Sequence, residues 1–105
     1  MKKITFRFTN AQIEVLYFTL RAQIMRPVNS QDFETRLYLC ELMNIGRRIH
    51  SKMYLNEKKK YQLTLTLPES LAFFCYFNPI LNELPGDLER VIITGVCNSI
   101  HQQLT

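Results

Sequence analysis

The sequence has no tryptophan, only three glycines and an odd count of three cysteines. Gly46, Gly86 and Gly95 stand alone, so no Gly-rich loop is present to cradle a phosphate. Cys40, Cys75 and Cys97 are far apart, which excludes both a disulfide framework and the close pairs that bind zinc. Set among apolar neighbours, they read as buried free thiols. Neither Gly-x-Ser-x-Gly nor His-Glu-x-x-His occurs. The longest unbroken apolar run, Leu71 to Phe77, falls far short of the roughly 20 residues that span a bilayer. Met1-Lys2-Lys3 is followed by the alternating Ile4-Thr5-Phe6-Arg7-Phe8 instead of an apolar block, unlike a secretory signal. A cytoplasmic location is expected.

What is present suits a single globular domain over residues 1–105. Apolar residues make up 47% and charged residues 21% of the 105, and seven Phe and five Tyr supply bulky packing material; that is ordinary globular composition. The net charge of +4 is unevenly placed. Residues 1–60 hold 12 of the 13 Lys and Arg against 5 acids, whereas residues 61–105 hold Arg90 against 4 acids. Such a split points to a polyanionic partner for one half, or to complementarity between halves or subunits.

Periodicity predicts the elements. Ile4, Phe6 and Phe8 alternate with polar residues as a half-buried strand. Thr9-Asn10-Ala11-Gln12 then fits a capping box, and a helix should run to about Met25, before Arg26-Pro27. This helix carries two apolar stripes: Ile13, Leu16, Tyr17, Leu20 and Ile24 on one side, Val15, Phe18, Ala22 and Met25 roughly opposite. A surface helix of a monomer needs one, so the second stripe is expected to meet another layer or another subunit. Asn29 or Ser30 should cap a second helix, with Asp32 and Glu34 in its first turn. Its buried arc is read as Leu39, Leu42, Met43, Gly46, Ile49 and Met53.

Tyr61, Leu63, Leu65 and Leu67 mark a second strand, and Thr66-Leu67-Pro68-Glu69 a second capping box. The third helix, Leu71 to Phe77, is apolar all round and therefore expected at the centre, with Pro79 ending or kinking it. A fourth helix after Pro85-Gly86 should bury Leu88, Val91, Ile92, Val96 and Ile100. The fold class is thus α+β, strand-helix-helix repeated twice (βααβαα), with a short two-stranded antiparallel sheet packed on four helices. Matching punctuation suggests half-repeats, 1–57 and 58–105, about a pseudo-twofold axis; two strand-to-helix junctions also share such punctuation without duplication.

Candidate chemistry is sparse. Cys97 and His101 lie four apart on one helix face, the spacing of a thiolate–imidazole pair, beside the buried Val96. His50, at the edge of the second helix's apolar arc, reads as a packing group. Asp32 and Glu34, like Asp87 and Glu89, fit helix-end electrostatics. No catalytic residue, metal ligand or cofactor is assigned. The stretch GRRIHSKMYLNEKKKY, residues 46–61, is the strongest feature. Arg47, Arg48 and Lys52 read as one helix side, with Lys58, Lys59 and Lys60 following and Tyr54 and Tyr61 available to stack on bases. The same cations also suit a helix C-terminus and the approach to an edge strand.

Two functional expectations follow. The first is a small non-enzymatic interaction or regulatory domain of bacterial type, homodimeric through Val15, Phe18, Ala22 and Met25. The alternative is an accessory nucleic-acid-binding protein acting through Arg47, Arg48, Lys52, Lys58, Lys59 and Lys60.

Overall fold

Both capping boxes form, and they set where the helices begin. In the computed structural model, which describes residues 2–25, 32–55 and 60–105 (the side chains of 54 and 55 excepted), Thr9 accepts from the Gln12 N–H at 3.2 Å while Gln12 Oε1 accepts from the Thr9 N–H at 2.9 Å. Thr66 and Glu69 repeat the exchange at 3.3 and 2.9 Å. The two threonines have nearly the same backbone angles, φ −71° and ψ 168° against φ −70° and ψ 168°. The elements are β1 (Ile4–Thr9), α1 (Asn10–Ile24), α2 (Phe33–Leu55), β2 (Lys60–Leu65), α3 (Leu67–Phe77), a 3-10 segment (Asn78–Glu83) and α4 (Asp87–Leu104). This is the expected βααβαα order. The likeness between halves is sharpest at the junctions: α1 has 15 residues and α3 has 11, continued by the 3-10 segment that carries Pro79.

β1 and β2 pair antiparallel as a two-stranded sheet, Ile4 opposite Leu65, Phe6 opposite Leu63 and Phe8 opposite Tyr61. These inward pairs meet the helices, and all but the half-buried Phe6 are buried. α1 and α3 each pack against both α2 and α4, while α2 lies along β2 and α4 along β1. One core joins the sheet to Ile13, Leu16 and Leu20 of α1, Leu42, Ile45 and Ile49 of α2, Phe73 and Phe77 of α3, and Ile93, Val96 and Ile100 of α4.

Several expected faces are rotated. α2 buries Ile45 and leaves Met43 exposed, because it is gripped from both sides, by α1 and by α3. Leu88 and Val91 of α4 are exposed, while the adjacent Ile92 and Ile93 and also Cys97 are buried. α3 is not central all round: Leu71 and Cys75 face solvent. The α2 cap is Asp32, whose Oδ1 accepts from the Thr35 N–H at 2.9 Å; the expected caps Asn29 and Ser30 lie outside the described residues. Among the described residues, no helix is long and apolar enough to cross a membrane.

Candidate nucleic-acid interface

A two-stranded sheet has two faces, and only one is needed for the core. The outward positions of β1 and β2 are Thr5, Arg7 and Thr9 against Thr64, Gln62 and Lys60, paired in that order. All are exposed except the half-buried Thr64. Thr5 Oγ1 and Thr64 Oγ1 lie 3.0 Å apart, which fixes one cross-strand pair, and Arg7 stands opposite Gln62 as the next. Lys3, exposed, leads into β1. Not one outward position carries a carboxylate. The result is a ribbon about 20 Å long whose solvent face offers cations, amide and hydroxyls.

Beside β2 a recess of about 520 Å³ is lined by Lys3, Arg48, Lys52, Gln62, Thr64 and Thr66. Lys52 therefore stands with the ribbon. Arg48 does not stand free. Its guanidinium makes a two-pronged ion pair with Glu69, Nη1 to Oε2 and Nη2 to Oε1, the latter at 2.8 Å, and Nη2 also donates to the Thr64 carbonyl at 2.8 Å. The Glu69 side chain is 4% exposed. Burial pushes its carboxyl upward, but hydrogen bonds from Arg48 and Thr66 outweigh that and hold it below the ordinary glutamate value.

Arg47 goes elsewhere. One step along α2 turns a side chain by about 100°, so Arg47 and Arg48 leave the helix towards different neighbours. Arg47 lines a cavity with Tyr17 and Arg21 of α1. On that same flank the exposed His50 ring lies 5.7 Å from Tyr17. The expected single handle is thus divided: Lys52 and Lys60 belong with the ribbon, Arg48 is spent on Glu69, and Arg47 faces α1. Lys58, Lys59 and the Tyr54 side chain lie outside the described residues. Tyr61 is buried against the core, so its ring is not a platform for a base.

The chain matches no protein-family model, no curated protein and no solved structure.

The two stripes of α1 divide as the first of them requires. Ile13, Leu16 and Leu20 are fully buried, and Phe18, Ala22 and Met25 remain at the surface, Phe18 at 54% and Met25 at 68% exposed. Val15 is half-buried and packs on the core, which removes it from the expected outer face. Thr19 and Gln23, polar positions between the stripes, are buried and satisfied: Thr19 donates to the Val15 carbonyl at 2.8 Å and Tyr76 donates to Gln23 at 2.8 Å.

The thiols are corrected as well. Cys40 and Cys75 are exposed and only Cys97 is buried. Burial pushes the Cys97 thiol up to about 12, and His101 stacks on Phe74 with ring centroids 5.7 Å apart. A protonated thiol is a poor nucleophile, so the Cys97–His101 spacing serves packing. Among the described residues, no three of His, Cys, Asp and Glu gather as metal ligands.

The outward ribbon as a unit is not among the sequence expectations, although the alternation that marks β1 and β2 carries it as plainly as the inward half: Lys3, Thr5 and Arg7 with Lys60, Gln62 and Thr64. Only the antiparallel register sets those residues side by side.

Proposed function

We propose that the protein binds duplex DNA, laying the outward face of the β1–β2 ribbon in the major groove. The observation that carries this reading is the composition of that face: Lys3, Thr5, Arg7, Lys60, Gln62 and Thr64, with no carboxylate among them. The major groove of B-DNA, about 12 Å wide, admits a two-stranded ribbon. Arginine pairs with guanine edges, glutamine with adenine, and threonine with the thymine methyl or a base acceptor. Arg7 beside Gln62 and Thr5 beside Thr64 supply those groups in the middle of the ribbon. In this reading Lys3, Lys52 and Lys60 meet the flanking phosphates, contacts that fix register without reading sequence. The deep, narrow major groove of A-form RNA excludes such a ribbon, so DNA is favoured over double-stranded RNA. No catalytic group enters this reading.

Fluorescence anisotropy with labelled DNA and RNA duplexes, titrated at several salt concentrations, tests it. The expected result is salt-sensitive binding to DNA, weaker binding to RNA, and loss in the Arg7→Ala/Gln62→Ala double variant with the fold retained. Equal affinity of that variant and the native protein would sink the proposal.

A second reading rests on a different surface. Phe18 and Met25, with Ala22 between them on α1, form an exposed apolar strip, and we infer that two copies associate through it. A homodimer would then present two ribbons. Sedimentation equilibrium over micromolar concentrations distinguishes this from a strict monomer.

A further inference from the structure

The flank of α2 towards α1 holds a second polar feature. Tyr17, Arg21 and Ile24 of α1 and Met43, Gly46 and Arg47 of α2 line a cavity of about 200 Å³. Arg21 and Arg47, both exposed, stand at its rim, one from each helix. Neither forms an ion pair with a described residue, although Arg48, one position from Arg47, is fully engaged by Glu69. Two like charges at one cavity repel unless an anion lies between them. The walls contributed by Ile24, Met43 and the Tyr17 ring are apolar, a surface on which the uncharged part of a ligand can lie.

Gly46 adds an independent observation. It sits in the interior of the 23-residue α2, where glycine is a poor helix former. A Cβ built there would meet only Ile24 Cδ1, at 3.9 Å, an ordinary contact. Packing of α1 on α2 therefore does not demand glycine. Gly46 lines the cavity, and its absent side chain leaves that stretch of wall bare.

We propose that this cavity binds a small organic carboxylate with a planar apolar body. The body would lie over Gly46 between Tyr17, Ile24 and Met43, and the carboxylate would accept from Arg21 and Arg47, whose planar forks match it. A monoanion fits better than a phosphate dianion, because an apolar cavity gives back less of the hydration that the dianion loses. The site is independent of the ribbon.

The test is a titration of the full chain followed by ¹H–¹⁵N NMR, at constant ionic strength, with benzoate as the probe and benzamide and inorganic phosphate as comparisons. Benzoate is expected to shift the amides around Tyr17, Ile24, Gly46 and Arg47 saturably, at low millimolar concentration or below, with benzamide and phosphate much weaker. Arg21→Gln and Arg47→Gln should each weaken benzoate about tenfold. Gly46→Leu should fill the cavity and abolish binding. If that variant fails to fold, the two exposed arginine variants still decide the matter. Absence of a saturable shift up to about 20 mM benzoate, phosphate acting as strongly as benzoate, or affinity unchanged in both arginine variants would overturn the proposal.

Discussion

Arg48 of α2 closes on Glu69 in the first turn of α3 with both of its terminal nitrogens, and that carboxylate is at the same time the reciprocal half of the Thr66 capping box. One buried group thus joins the later half of α2, the end of β2 and the start of α3. Removing Arg48 leaves the carboxylate desolvated with only the Thr66 N–H as partner. Arg48→Met should cost about 2–3 kcal/mol, less than a fully buried pair because Arg48 is 38% exposed. Glu69→Gln keeps an acceptor for the cap and should cost less. Urea denaturation of both variants measures the difference.

The same pair sets an acid dependence. The folded-state pKa of Glu69 is depressed, so its contribution is complete above the unfolded value, about 4.3 for a free glutamate, and fades as pH falls through the lower folded value. Stability of the native protein should therefore drop across this acid window, and Glu69→Gln should flatten that part of the profile. An identical slope in the variant would remove Glu69 as its source.

Thiol reactivity should separate two cysteines from the third. Cys40 and Cys75 are exposed, while Cys97 is buried with its thiol pushed up to about 12. With an aromatic disulfide reagent near neutral pH, two thiols should react readily and the third only on unfolding. Fast labelling of Cys97 in the folded protein would contradict its packing.

The two caps should differ in cost. Thr9→Ala removes a box whose groups are exposed, and the loss should be about 1 kcal/mol. Thr66→Ala removes the acceptor of the backbone N–H of the buried Glu69, so its loss should approach the upper end of the cap range, about 2 kcal/mol. Thermal unfolding of the two variants ranks them.

How much of this was legible in the sequence depends on the range of the interaction. The capping boxes and the strands were readable because Thr9 with Gln12, Thr66 with Glu69, and each alternation are local, and local chemistry suffices for them. The stripe Ile13, Leu16 and Leu20 of α1 was readable for the same reason. Helix faces were less so: Met43 and Ile45, or Leu88 and Ile93, are equally apolar, and what decides between them is which neighbours grip the helix. The basic stretch was least legible. Arg47 and Arg48 are adjacent in the chain and chemically identical, and only a carboxylate 21 residues away, Glu69, tells them apart.

Self-association should depend on the outer strip of α1. Phe18→Lys replaces a side chain that is 54% exposed, so it should leave stability within about 0.5 kcal/mol while shifting any dimer to monomer. A dimer that survives Phe18→Lys and Met25→Lys together would place the contact elsewhere.

On the ribbon, charge and sequence reading should separate. Lys3→Ala with Lys60→Ala removes two outward cations and should lower DNA affinity evenly across sequences, reducing the log–log salt slope by about 2 if each meets a phosphate. Arg7→Ala should instead relax preference at one base pair, at a cost of about 1–3 kcal/mol on the preferred site. Arg47→Gln, on the other flank of α2, should weaken DNA binding far less than either. Arg48→Glu should lose binding only together with the fold, since it sets two carboxylates against each other at Glu69. A protein in which Arg47→Gln abolishes binding and Arg7→Ala leaves it intact would move the interface from the sheet to the helix.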